Sequence, residues 1–173
     1  METKITTPVV KGVVITLILI VFGLILYFVD KLQHPGLQYL QYLILVAGVI
    51  WSCISYSNDM NANTTFGNLF AHGFKTTAVV IVLIIIYTIL SIKFLFPDIV
   101  DKSMEMGRKK MEESGKLSDS QIDTQLTMMK DHFLLFAISF TIILFGIVGC
   151  ISSLIGAAVA KKNPQGPFAN QPM

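Results

Sequence analysis

The sequence predicts an all-α integral membrane protein with four transmembrane helices and an extramembrane αα-hairpin between the third and the fourth. Of its 173 residues, 53% are hydrophobic and only 14% are charged, whereas a soluble domain carries about 25% charged residues. Charged residues are absent from four stretches, 13–29, 37–58, 76–92 and 133–160. Each stretch is long enough for an apolar helix to cross a bilayer. A charged segment with helical periodicity separates the last two.

A single membrane domain is expected over 1–173, with spans at about 9–29, 37–57, 76–96 and 133–160. Lys11 falls in the first turn of the first span, and we expect its side chain to reach back to the lipid headgroups. Pro35-Gly36 marks a tight turn over 30–36, so the second span should return antiparallel to the first. Aromatic residues lie near both ends of the second span, as at membrane–water interfaces: Tyr39, Tyr42, Trp51 and Tyr56.

The segment before the third span carries phenylalanine at every fourth position: Phe66, Phe70 and Phe74. On a helix these side chains share one face. The pattern fits a short amphipathic helix that lies in the membrane interface. It fits equally well the first turns of the third span itself, and the sequence does not separate the two. Pro97 should end or kink this span.

Segment 98–132 has two apolar stripes with helical spacing on either side of Gly115, the pattern of an αα-hairpin. Ser118 and Gln121 form a capping-box sequence at the start of the second helix. No helix breaker follows, so we expect one continuous helix from about residue 119 to residue 160. The predicted contacts between the two hairpin helices are made by six residues: Val100, Met104, Met111, Ile122, Leu126 and Met129.

The fourth span is rich in small residues, which allow helix backbones to approach closely. The helix-packing positions predicted here are Gly146, Gly149, Ser153, Gly156 and Ala157. They would pack against other spans of the same chain or, alternatively, against a second copy. The tail 161–173 contains prolines and lacks an apolar pattern, so it is predicted to be disordered.

Several kinds of chemistry are disfavoured. The net charge of +2 is too small for nucleic-acid binding. No catalytic, cofactor or metal-binding motif occurs, and the three histidines, His34, His72 and His132, fall at predicted membrane edges. The four charge-free stretches lack the ionisable side chains on which proton relays and coupled transporters rely. A passive path remains open, lined by the hydroxyls of Thr16, Ser52, Ser55, Thr88, Ser139 and Thr141.

Several short motifs together resemble a family of small bacterial membrane proteins, domain of unknown function 4199. They are Phe66-Gly67, Gly73-Phe74-Lys75, Phe96-Pro97-Asp98, the hairpin with Gly115 and Ser118, and Lys161-Lys162. The resemblance covers about residues 8–162. It implies a four-helix protein in the inner membrane of a bacterium that has an outer membrane. It implies no activity and no catalytic residues.

We therefore expect a non-enzymatic accessory or scaffold subunit that uses the hairpin to contact partners. Besides the lipid bilayer, the partner would be another membrane protein or a second copy of the chain. The alternative is a small channel or passive transporter. The basic residues next to the first and last spans favour cytoplasmic termini and a periplasmic hairpin.

Overall fold

The computed structural model describes residues 6–29 and 35–163, and every regular element in this part of the chain is helical. The predicted tight turn 30–36 falls mostly outside the described residues, and so does most of the predicted disordered tail. The all-α class is confirmed. The helices are α1 (Pro8–Phe28), α2 (Pro35–Asp59), α3 (Phe66–Leu90), α4 (Asp98–Ser114), α5 (Asp119–Asp131) and α6 (Phe133–Val159), with a π-helical segment, Ser91–Leu95, after α3.

Four helical stretches are long and apolar enough to cross a membrane: Pro8–Phe28, Tyr39–Asp59, Phe66–Leu95 and Phe133–Val159. Their large apolar side chains are widely exposed, as Leu17, Ile25, Phe140 and Ile147 illustrate. A helix whose apolar side chains cover its outward surface too is suited to lipid rather than to water. The chain is a multi-pass membrane protein.

The chain divides into two compact units, of which the first comprises Met1–Ile84 and Leu144–Met173. Its core draws side chains from all four long apolar helices. The buried members are Ile15, Leu19, Leu45, Val49 and Val80, with Ile44, Ile84, Phe145 and Val148 packed around them. A second apolar cluster in the same unit joins Leu69 of α3 to Ala157 and Ala160 at the end of α6.

Helix α3 begins at Phe66 and runs without interruption into the predicted third span. Of the two interpretations of the phenylalanine repeat, the structure therefore has the amphipathic part as the first turns of the same helix. Phe66 and Phe74 are exposed, whereas Phe70 is half-buried and packs against the apolar cluster around Leu69. The helix ends in the π-helical turn, where the Phe96 N–H donates to the Ser91 carbonyl at 2.7 Å. Pro97 follows, and a proline disfavours the helical conformation at the residue before it.

The second unit, Ile85–Ile143, contains α4 and α5 packed against each other as a hairpin. Gly115 ends α4 with φ of 61°, a left-handed conformation that glycine adopts without steric cost. The Ser118 N–H donates to Gln121 Oε1 at 2.9 Å, which is the backbone half of the capping box. The turn and the helix start thus lie where the sequence places them.

The predicted continuous helix over 119–160 is wrong at one residue. His132 has φ of −112° and ψ of 19°, outside the α-helical region, and it separates α5 from α6. The break coincides with the change from a charged helix to one that is apolar on all sides. Hydrogen bonds continue on both sides of it, from the His132 N–H to Met128 O at 3.3 Å and from the Phe136 N–H to His132 O at 3.0 Å.

Candidate functional site

The first unit contains an ion pair between a buried lysine at the start of α1 and a half-buried aspartate at the end of α2. Lys11 is only 1% exposed. Its Nζ lies 3.6 Å from Asp59 Oδ2 and donates to the Ser52 carbonyl at 3.4 Å. The expectation that Lys11 reaches back to the headgroups is therefore wrong. A carboxylate on the neighbouring helix gives its ammonium a counter-ion inside the unit.

Asp59 also holds Thr6, which lies two residues before the start of α1. Its Oδ2 accepts hydrogen bonds from the backbone N–H of Thr6 at 3.2 Å and from the Thr6 hydroxyl at 3.0 Å. One carboxylate thus joins the end of α2 to two points on the N-terminal part of the chain. Because these hydrogen bonds go to a charged acceptor, they are stronger than neutral ones.

Helix α3 adds a third set of polar groups. The Ser52 and Thr76 hydroxyls are 2.9 Å apart, and the Thr76 hydroxyl donates to the His72 carbonyl at 2.9 Å. The His72 ring stacks on the Tyr56 ring, with centroids 4.2 Å apart and an interplanar angle of 18°. We call this group the Lys11 cluster: Lys11, Ser52, Tyr56, Asp59, His72 and Thr76.

His72 is the least satisfied member of the Lys11 cluster. It is 5% exposed, and its Nε2 has no hydrogen-bond partner among the described residues. The charged groups whose fields reach its ring are Lys11, Asp59 and Lys75. A buried polar atom without a partner costs free energy, and such atoms in native structures call for a specific explanation.

The sequence contains a signal for this cluster that the pattern of charge-free stretches does not reveal. Ser52, Tyr56 and Asp59 are spaced by four and three residues, so they share one face of α2. On α3 the buried face contains Leu69, His72, Gly73, Thr76, Thr77 and Val80. The phenylalanine repeat drew attention to the neighbouring positions of the same helix instead. What the sequence could not show is that the two polar faces meet each other and Lys11.

The small residues of α6 line the inside of the first unit. Gly149, Ser153, Gly156 and Ala157 are buried. A Cβ atom at Gly149 would overlap the Thr77 side chain of α3, and one at Gly156 would crowd the Cys53 side chain of α2. Four of the five predicted positions therefore lie against helices of the same chain. At Gly146 a Cβ atom would meet nothing within 4 Å.

In the hairpin, two of the six predicted contact residues form the buried core, Ile122 and Leu126. Three are half-buried: Val100, Met104 and Met111. Met129 is 37% exposed and lies at the edge of the contact. Met129 is therefore the most exposed of the six predicted contact residues.

Two ion pairs join the hairpin helices, and sequence reasoning did not find them. Lys130 Nζ lies 2.8 Å from Asp101 Oδ1, and Arg108 pairs with Asp123. Hydrogen bonds to these carboxylates raise the pKa of Lys130 and of Arg108 above their ordinary values. Exposed pairs add little stability, so the apolar contact between the two helices contributes most of what holds them together.

The acidic residues at the start of α4 are each paired with a lysine. Asp98 pairs with Lys102, Asp101 with Lys130, and Glu105 with Lys109. Within residues 6–29 and 35–163, no three His, Cys, Asp or Glu side chains gather where they could hold a metal ion.

The comparison with known families gives one match that covers residues of both units. The family model described as protein of unknown function, DUF4199, matches residues 11–162. The chain belongs to the DUF4199 family. This confirms the resemblance, and the match includes the Lys11 cluster, the hairpin and all of α6. No curated protein and no solved structure matches the chain.

In this DUF4199 chain the buried hydroxyls mostly bond to the helix that carries them. Thr16 donates to Gly12 O at 2.8 Å and Thr141 to Ala137 O at 2.8 Å. The Ser153 hydroxyl likewise donates to Gly149 O at 2.7 Å. Such bonds to the preceding turn satisfy a hydroxyl in an apolar helix.

Two alanine substitutions test the packing of α6. Gly149→Ala should lower the free energy of unfolding by about 1–3 kcal/mol, because overpacking against Thr77 forces neighbouring atoms to move. Gly146→Ala is the matched control, since the same methyl group meets open space and alanine favours the helix. Thermal unfolding in detergent would report both. Equal melting temperatures for the two variants would contradict the close approach of α3 and α6.

Proposed function

We propose that the chain is a non-enzymatic accessory or scaffold subunit of the bacterial inner membrane, and that the hairpin α4–α5 contacts its partner. The observation that carries the proposal is that the hairpin has its own core. Ile122 and Leu126 are buried between two helices whose outer faces are charged. A loop that only connects two spans needs neither a core nor two inter-helix ion pairs.

The surface of the hairpin supports a role in protein contact. Lys110, Glu113 and Lys116 are exposed around the turn, where they can give orientation and specificity to an encounter. Met128, on α5, is also widely exposed. Methionine is an adaptable contact residue. Charged residues around a few apolar ones are a common composition at the rim of an interface.

Site-specific photo-cross-linking tests the proposal. A photoreactive residue at Lys110 or Gln125 of the full-length chain in native membranes should give a discrete protein adduct, either a partner or a second copy. The same residue at Phe140, an exposed position in a membrane-spanning helix, is the control and should give no such adduct.

Two hairpin variants make this test specific. Leu126→Asp buries a carboxylate in an apolar contact at a cost of several kcal/mol. It should abolish the adduct and increase proteolysis near Gly115. Met129→Asp places the same carboxylate at an exposed position and should retain the adduct. If no hairpin position cross-links, and purified protein in liposomes conducts ions or small solutes, the alternative of a small channel or passive transporter replaces the proposal.

We further propose that both termini are cytoplasmic and the hairpin periplasmic. Orientation follows the basic residues close to the ends of spans, and the first span often dominates. Lys4 and Lys11 precede or open the first span, whereas Lys31 alone follows it. Lys161-Lys162 directly after the last span adds to the same side. The lysines and Arg108 along the hairpin lie farther from the span ends and are interleaved with acidic residues, so they influence the orientation less.

Reporter fusions measure the orientation. Alkaline phosphatase is active only in the periplasm, so a fusion after Gly115 should be active and a fusion at the C-terminus inactive. The opposite pair of results would place the hairpin, and any partner that it contacts, in the cytoplasm.

A further inference from the structure

The basic side chains of the Lys11 cluster are shielded from solvent. Lys11 and His72 are almost fully buried, and the rings of His72 and Tyr56 are stacked. The cluster nevertheless contains the side chains from which proton sites in membranes are built: a lysine, an aspartate and a histidine. Three helices contribute them, so a change of charge here acts on the packing of α1, α2 and α3 together.

The charge balance of the cluster depends on His72. With a neutral imidazole, the Lys11 ammonium and the Asp59 carboxylate compensate each other. Uptake of one proton from solvent by the imidazole adds a second cation to the cluster, with the same single carboxylate. Lys75 on α3 adds a further positive field at His72. Asp59 is already engaged by Lys11 and Thr6.

The other groups around His72 carry no negative charge to balance an imidazolium, although the face of the Tyr56 ring attracts a cation weakly. On α2, Tyr56 contributes a ring face and Cys53 a thiol that donates to the Leu69 carbonyl. Ser153 of α6 approaches the same turn of α3 at Gly73. The closed cluster therefore accommodates a neutral His72, whereas a hydrated His72 is free to take up a proton.

We propose that the Lys11 cluster is a proton-binding latch: His72 takes up one proton when α3 separates from α1 and α2, so that acid favours the open arrangement. The direction follows from linkage, because the state that binds more protons gains population as the pH falls. A hydrated imidazole has a pKa of about 6.5. The closed arrangement is therefore fully favoured above that pH and is progressively lost below it.

The native Cys53 thiol reports the opening. It is buried on α2 and donates to Leu69 O of α3 at 3.5 Å, one turn before His72, so a movement that lifts His72 from α2 uncovers it. The experiment uses the full-length chain in detergent with Cys150→Ala, because Cys150 is half-buried. The rate of modification by 4,4′-dithiodipyridine is divided by the rate of the unfolded chain at the same pH, which gives a protection factor.

The protection factor of Cys53 should fall about 30-fold between about pH 7.5 and pH 5, which is the change that one hydrated histidine produces by linkage. With His72→Asn it should not depend on pH. His132→Asn, in the exposed break between α5 and α6, should retain the full effect. Lys11→Met should reduce the pH dependence of the protection factor, because Asp59 could then act as the counter-ion of a protonated His72 in the closed arrangement.

Two results would overturn the latch. One is a protection factor in the otherwise native chain that does not change with pH. The other is an unchanged pH dependence after His72→Asn. If that variant does not fold, histidine-ring NMR of the native sequence decides instead. One histidine ring should then titrate over the same pH range in which Cys53 loses its protection. If no ring titrates together with that loss, the latch is equally contradicted.

Discussion

The first unit depends on the ion pair between Lys11 and Asp59. Burying an ammonium costs desolvation free energy, and a nearby carboxylate and carbonyl are needed to offset that cost. Asp59 supplies the carboxylate from the last residue of α2, and Ser52 supplies the carbonyl two turns earlier. The start of α1 is therefore tied to the end of α2 by charge, where apolar packing alone would leave its register less defined.

The same constraint organises the neighbouring segments. The turn after Asp59 includes Asn61 and Ala62 with positive φ, and it leads directly into α3. The Ala62 carbonyl accepts the Asn163 N–H at 2.7 Å, and the Ser57 hydroxyl donates to the Lys161 carbonyl at 2.5 Å. The residues around Asp59 thus hold both the N-terminal part of the chain and the segment after α6. His72 enters this arrangement through α3, which explains why its charge state would affect several contacts together.

The four membrane spans could be predicted from the sequence, because an apolar stretch that is long enough to cross the hydrocarbon core of a bilayer forms a transmembrane helix. The hairpin was accessible too, since Gly115, Ser118 and the two apolar stripes are local signals. The break at His132 was not, because no residue there excludes a helix. The Lys11 cluster was missed for another reason. Lys11, Asp59 and His72 each stand at a predicted membrane edge, where headgroups or water would explain them singly. Only tertiary packing brings them together, and no local pattern reports the distance between two helix ends.

A double-mutant cycle on Lys11 and Asp59, with the free energy of unfolding measured in mixed micelles, tests whether this ion pair holds α1 to α2. Asp59→Asn alone should cost about 3 kcal/mol or more, because it leaves a buried ammonium without its counter-ion. Lys11→Met alone should cost less, since Asp59 keeps its hydrogen bonds from Thr6. In the Lys11→Met background, Asp59→Asn should cost little, so the two changes should be strongly coupled. Equal costs of Asp59→Asn in the presence and absence of Lys11 would show that the pair does not hold α1 to α2.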